Sequence, residues 1–323
     1  MSIVMDTRVG SKGALPRSRV SEIQRARMLN AMAEVAAQEG AQNASVARVV
    51  ARSGVSRRTF YDLFEDREDC FLAAFEDALG RVAERVLPVF GGSGSWQMRV
   101  RGGLLAILAF IEEEPDLGRL LIVESLTAGP RAIERRAQLV AMLVDAVREG
   151  ESETKRGYGQ PALSAEGVVG AVLSVVHARL QRGEADSLIV LVNPLMGMIV
   201  LPYFGPAAAR REGERPLPTL PPRPSARRGD PLRDLDMRLT YRTVRVLVAI
   251  AASPGASNRQ VAEAAGIADQ GQISKLLLRL QNLGLIRNVG VGPVRGEPNA
   301  WRLTSRGQDV ERTIREQTGR TQP

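Results

Sequence analysis

Arg57, Arg58, Thr59 and Tyr61 fall within one short run, Arg57-Arg58-Thr59-Phe60-Tyr61. Two permanent cations, a hydroxyl and a phenol on one helical face can donate to phosphates and to base edges. Their chemistry is recognition rather than bond-making. The residues that bond-making needs are scarce. A lone histidine, His177, gives neither a metal site nor a catalytic dyad, and there is one cysteine, Cys70. The chain shows no metal-ligand spacing and no glycine-rich phosphate loop after a strand. No catalytic residue, cofactor or metal is therefore expected.

These side chains need an element that presents them, and Ala44 to Phe64 supplies one. Ser45 is a good N-cap, because its hydroxyl can accept from backbone N–H groups one turn in. Val46, Val49 and Val50 recur at helical spacing. Gly54 stops the first helix, since a residue without a side chain takes a left-handed cap at little cost. Val55 fills the angle. Ser56 caps a second helix anchored by Phe60, Leu63 and Phe64, with Arg57, Arg58, Thr59 and Tyr61 outward. This is a helix-turn-helix whose second helix suits a major groove.

The stretch resembles the TetR family of transcriptional regulators. The likeness rests on Gly54-Val55-Ser56, Thr59-Phe60-Tyr61 with Phe64, Arg67-Glu68-Asp69 and Phe71-Leu72-Ala73-Ala74-Phe75. Val50 and Ser53 stand where that family usually has alanine, which implies a slightly splayed helix packing. Arg67 stands where lysine is usual and keeps a charge for a phosphate. The resemblance implies a dimeric DNA-binding protein whose helical body binds a small molecule.

At 323 residues the chain has room for two or three domains. A single cysteine excludes an internal disulfide framework and fits a reducing cytoplasm, so a cytoplasmic protein is expected. Cys70 reads as a small buried residue, with a redox sensor as the alternative. No N-terminal secretory pattern is present, and no apolar run reaches the roughly 18 residues of a membrane span. Leu188 to Leu201 comes nearest and is interrupted by Asn193 and Pro194. The net charge of +8 is segregated: +6 over residues 1–60, −7 over 61–209, +3 over 210–230 and +6 over 231–323. Two basic ends around an acidic middle suit two polyanion-binding ends.

Residues 1–20 carry Arg8, Lys12, Arg17 and Arg19 without hydrophobic period. They read either as a tail without fixed structure or as a basic arm along DNA. Ser21 to Gly40 is expected as a helix capped by Ser21. A fourth helix, Asp69 to Leu87, follows the head. Helices are then expected over Trp96–Glu114, Pro115–Thr127, Pro130–Glu149, Ser164–Arg182 and Ser187–Phe204. Trp96, Met98, Phe110, Leu121, Met142 and Val144 are candidate pocket residues, with plain core as the alternative for each. The last two body helices, near 164–204, resemble the family's dimer-forming pair. His177 among them reads as a packed or interface residue, or as a pH or ligand sensor.

From Gly205 to Asp230 the chain turns proline- and arginine-rich, which predicts an extended linker whose denser half spans roughly 45 Å. Beyond it, helices over Leu239–Ala252, Asn258–Ala265 and from the Asp269 cap through Leu283 precede a hairpin with Arg295 at its tip. Gly284-Leu285-Ile286 and Trp301-Arg302-Leu303-Thr304 with Gly307 resemble a winged-helix domain of the MarR-like type. Gln270, Gln272, Ser274, Lys275 and Arg279 face outward on its second reading helix. Glutamine can read adenine edges and arginine can clamp guanine or phosphate; contact with protein is the alternative use of this face.

The expected fold is mainly α. A basic arm (1–20), a three-helix head (21–66), a helical ligand-binding and dimerising body (67–205), a linker (206–230) and a winged helix (231–323) follow in order. The expected function is a sequence-specific DNA-binding regulator, a ligand-released repressor, acting as a homodimer on double-stranded DNA with an unnamed small-molecule effector and no membrane. The alternatives are a DNA-bridging architectural protein, or a regulator whose winged helix contacts protein. DNA contacts are expected from Ser45, Ser56, Arg57, Arg58, Thr59, Tyr61 and Arg67.

Overall fold

The computed structural model describes residues 17–154, 163–217, 241–290 and 299–319. Residues 1–16 of the basic arm, the proline-dense half of the linker and the hairpin tip with Arg295 lie outside the described residues. The described chain is mainly helical. Its helices are α1 (Arg17–Glu39), α2 (Val46–Ser53), α3 (Arg57–Leu63), α4 (Arg67–Phe90), α5 (Trp96–Glu113), α6 (Pro115–Ile122), α7 (Pro130–Arg148), α8 (Ser164–Gln181) and α9 (Val192–Gly213). There follow α10 (Tyr241–Ala252), α11 (Asn258–Ala265), α12 (Gln270–Asn282), strands β1 (Ile286–Asn288) and β2 (Trp301–Leu303), and α13 (Ser305–Gly319).

Caps explain most boundaries. Asp66 starts α4 by accepting from Asp69 N at 2.7 Å, so this helix begins two residues before the expected Asp69. Pro115 and Pro130 occupy the first turns of α6 and α7, where a missing N–H costs nothing. α1 departs from expectation. It begins at Arg17, so Ser21 lies inside the helix and does not cap it.

The chain divides into two compact units. One comprises Leu29–Val49 and the chain from Tyr61 through α9; the other comprises α1 up to Met28, Val50–Phe60 and the chain from α10 onward.

In the first unit α4 and α5 pack along their lengths with α6, α7, α8 and α9 around them. Phe71, Phe75, Trp96, Leu108, Phe110 and Leu120 are fully buried there. Gly118 lets α6 approach α5, because a Cβ on it would lie 2.6 Å from Ile111 Cγ2.

The expected linker does not begin at residue 206. α9 breaks at Gly205, where φ 77° and ψ 179° are outside the helical region, and the helix resumes at Pro206. A straight helix would part Asn193 from Arg215 by about 33 Å. Instead Asn193 Nδ2 donates to the Arg215 carbonyl oxygen, so residues 206–213 return alongside the first half of α9. Gly197 accommodates the return, with the Ala209 carbonyl 3.4 Å from where its Cβ would stand. Arg101 on α5 fastens it: Nη1 donates to Glu212 Oε2 at 2.9 Å and Nη2 to Asn193 Oδ1 at 2.6 Å. An 18-residue stretch within Ile189–Gly213 reaches a mean hydropathy of 1.6, enough by length and composition to cross a membrane and longer than the run read from sequence, but the helix containing it breaks at Gly205.

The second unit has its own apolar core, including Val244, Leu247, Ile250, Val261, Ile273, Leu277, Leu280, Trp301 and Val310, joined by Ile23 of α1. α11 carries a capping box between Ser257 and Gln260 and ends at Gly266, φ 59°. Gly307 backs directly onto the Leu285 carbonyl, where a Cβ would overlap the oxygen. The strands pair antiparallel, with Ile286, Arg287 and Asn288 opposite Leu303, Arg302 and Trp301.

Arg101 and Glu212 are both nearly enclosed, at 11% and 9% side-chain exposure. Removing one partner leaves a buried charge uncompensated. Arg101→Ala is expected to lower unfolding free energy in urea by about 3–5 kcal/mol, while Arg101→Met with Glu212→Leu recovers most of that loss.

Candidate nucleic-acid interface

The helix-turn-helix forms from local bonds. Ser45 Oγ accepts from Arg48 N at 3.4 Å, the expected cap of α2. Gly54 ends that helix in the left-handed region at φ 65°. Ser56 Oγ accepts from Thr59 N at 3.0 Å and shares a 2.8 Å hydroxyl contact with Thr59 Oγ1. Ser45 and Ser56 are therefore engaged as caps, and the Thr59 hydroxyl is already bonded. Buried Ser53 is satisfied: its hydroxyl donates to Val50 O and accepts from Val55 N, both at 3.3 Å, and its carbonyl accepts from Arg27 Nε at 2.8 Å. Val55 and Phe60 are buried. Arg57 and Arg58 are exposed on α3, as is Tyr61 at 52%.

Arg67, expected at a phosphate, has its guanidinium engaged within the protein. Its guanidinium donates to Ala41 O at 2.5 Å and to Ala128 O at 2.7 Å. It ties the α1–α2 corner to the start of α7. Arg119 works beside it, donating to Ala37 O (3.1 Å), Leu180 O (2.9 Å) and Glu124 Oε1 (3.0 Å). Buried Glu124 also accepts from Ala41 N at 2.9 Å.

Residues 28–74 match the bacterial regulatory proteins of the tetR family.

The match runs from the second half of α1 through α2 and α3 into the start of α4. No curated protein matches the sequence. Among solved structures, the fatty acid degradation regulator FadR from Bacillus halodurans is similar at 16% identity and TM-score 0.49, over 55% of this chain and 94% of that one. FadR from Bacillus subtilis, solved with stearoyl-CoA, is 18% identical with TM-score 0.48, over 56% and 98%. A TetR family regulator from Marinobacter aquaeolei VT8 is 22% identical with TM-score 0.46, over 57% and 96%.

The C-terminal set lies on α12, away from the TetR-like match in sequence. Gln270, Gln272, Ser274, Lys275 and Arg279 are all exposed. Gln272 Oε1 accepts from Arg242 Nη1 at 2.6 Å, and Ser274 Oγ donates to Gln270 O at 2.9 Å. Leu278 is exposed at 57% on this face; the inward leucines around it hid it from the sequence reading.

The candidate pocket residues divide by exposure. Trp96, Phe110 and Leu121 are buried, whereas Met98 and Met142 are exposed at 59% and 64%. Met142 lies on the outer side of α7, which turns Ala132, Val144 and Val147 inward. Trp96 is packed core. Its Nε1 donates to Ala146 O at 2.9 Å, its ring centroid lies 5.1 Å from that of Tyr203, and Gly150 leaves room for its edge. Among the described residues the hydroxyl of buried Tyr203 has no partner, and burial pushes its pKa up. A cavity of about 320 Å³ opens in the second unit, lined by Ala249, Ser253, Pro254, Gly255, Gln260 and Val261 among others. Among the described residues, no cluster of histidine, cysteine, aspartate or glutamate could hold a metal. Cys70 is buried and forms no disulfide.

Asp269 caps α12, accepting from Gly271 N at 2.8 Å and Gln272 N at 3.1 Å. The Gln272 N–H, then that of Gly271, hold its carboxyl below the usual range. A depressed folded pKa gives stability that is present above the unfolded value, about 3.9, and is lost as pH falls through the folded one. Asp269→Asn keeps a cap but cannot titrate. Its stability relative to the parent should be lower at pH 7, and the gap should close on acidification below about pH 4, as read from denaturant midpoints.

Proposed function

We propose that the chain is a transcriptional regulator that binds duplex DNA through α3, represses as a homodimer and is released by a small molecule in the helical body. The observation that carries this reading is the exposure of Arg57, Arg58 and Tyr61 on the capped second helix of a turn within the tetR-family match. Two heads of a dimer would meet half-sites about 34–36 Å apart. Release requires the effector to prefer one of two head arrangements.

The dimer reading has support in α8 and α9. Gly167, Gly170 and Ser174 are exposed along one side of α8, and a Cβ built on either glycine meets nothing within 4 Å. Glycine inside a helix costs about 1 kcal/mol relative to alanine, which close approach of another helix would offset. Val190, Pro194, Met198 and Leu201 are exposed at helical intervals nearby.

We read the C-terminal helices and two-stranded sheet as a winged helix and as a second DNA-binding element. Its exposed polar face on α12 and its basic balance support this. Exposed Leu278 favours a second use, contact with another protein.

Arg57→Ala with Arg58→Ala is expected to weaken binding to a site taken from a genome-wide binding profile by about 2–6 kcal/mol, with the dimer intact. Unchanged affinity in a titration refutes the assignment. Leu201→Glu is expected to turn the dimer into monomer by light scattering; a mass unchanged from the parent refutes the α8–α9 interface.

A further inference from the structure

We propose that Arg287 and Arg302 form a two-cation clamp for the phosphate backbone of duplex DNA at the root of the C-terminal hairpin. The proposal rests on the reading of this domain as DNA-binding, and adds a contact that lies neither on α12 nor at the hairpin tip.

The strand register sets the pair. Arg287 lies directly opposite Arg302, and residues opposite each other in an antiparallel pair project on the same face. The flanking bonds fix the spacing. Thr304 N donates to Leu285 O at 3.0 Å and Val289 N to Ala300 O at 2.7 Å. Bonded pairs alternate along such a ladder, so Arg287 and Arg302 form a hydrogen-bonded pair with Cα atoms about 5.5 Å apart. The other face is the inner one: Ile286 and Trp301 are buried and Leu303 packs against the core. Both arginines are exposed.

Like charges directly opposite each other destabilise a sheet. Here no carboxylate offsets them: among the described residues, neither arginine makes an ion pair or a side-chain hydrogen bond. A two-stranded sheet of three residues per strand has little stability to lose. Two adjacent, unneutralised cations on its outer face are therefore a feature that a polyanion would repay. Duplex DNA presents one negative charge per about 1.7 Å of axis, and arginine suits phosphate by its planar fork.

The root of the hairpin is also held still. Asn258 Oδ1 on α11 accepts from Trp301 Nε1 at 2.6 Å and from Asn299 Nδ2 at 3.1 Å. Asn288 Nδ2 donates to Asn299 Oδ1 at 2.7 Å, and Asn288 Oδ1 accepts from Ala300 N at 2.9 Å. β1 packs on α12. The clamp is thus presented from a braced platform next to the helix with Lys275 and Arg279.

The test compares full-length chains binding a short mixed-sequence duplex by fluorescence anisotropy between about 50 and 200 mM salt. One variant is Arg287→Ala with Arg302→Ala, the second Arg287→Lys with Arg302→Lys, and the third Lys275→Ala with Arg279→Ala on α12. Each lost phosphate contact removes about 0.9 from the slope of log K against log salt. The alanine pair is expected to lower the slope by about 1.8, the lysine pair to keep it, and the thermal midpoint of the alanine pair not to fall. A slope unchanged in the alanine pair while the α12 variant binds more weakly overturns the clamp and leaves the DNA-binding reading standing. No change in either overturns both, and points to an acidic protein partner. Should the alanine pair fail to fold, a lysine pair that lowers the slope by the same 1.8 also overturns the proposal, since charge would then not be what binds.

Discussion

A buried carboxylate at the α1–α2 corner organises the first unit. Glu124 is 5% exposed and accepts from both Ala41 N and Arg119 Nη2. An ionised group in that setting is tolerable only when its lone pairs are met. Arg119 answers it and spends its other donors on Ala37 O and Leu180 O. Arg67 adds Ala41 O and Ala128 O. The end of α1, the start of α7, the turn after α6 and the end of α8 therefore converge on three charged side chains. Gly40 makes the corner possible, at φ 87°. None of these ends can shift far without stretching a bond to a charged group.

The helix-turn-helix was legible because its signals are local. Ser45, Gly54 and Ser56 fix their boundaries by bonds that span three residues or fewer or by one backbone angle. Ser257, Gly266 and Asp269 do the same in the C-terminal part. Arg67 shows the limit. Type and spacing put a cation in the right neighbourhood for a phosphate, but its partners, Ala41 and Ala128, are 26 and 61 residues away. The bonds that turn it inward have no local signature. Ser21 failed differently: a hydroxyl with cap propensity is also acceptable inside a helix, and α1 starts at Arg17.

Composition misled at residues 206–213. Prolines and arginines average to an extended segment, yet Pro206 follows a glycine with positive φ and stands where proline opens a helix. Burial of Ala208 and Glu212 then depends on Arg101, more than a hundred residues earlier. The candidate pocket residues show a related limit. Helical period assigns a face but not a neighbour, so Met98 and Met142 lie on faces left exposed among the described residues, while Trp96 is packed against Tyr203, Gly150 and Ala146.

The C-terminal unit obeys the same constraint in neutral form. Burying Trp301 at 4% exposure demands a partner for its indole N–H, and Asn258, the first residue of α11, supplies it. The Ser257 cap and the bridge between Ala256 and Trp301 hold Asn258 in reach. Asn258 also lies 3.5 Å from Ser274 Oγ on α12. One amide thus touches the strand, the helix before the turn and the helix after it. Because each of its bonds depends on the placement of the others, Asn258 couples the position of the strand to that of α12.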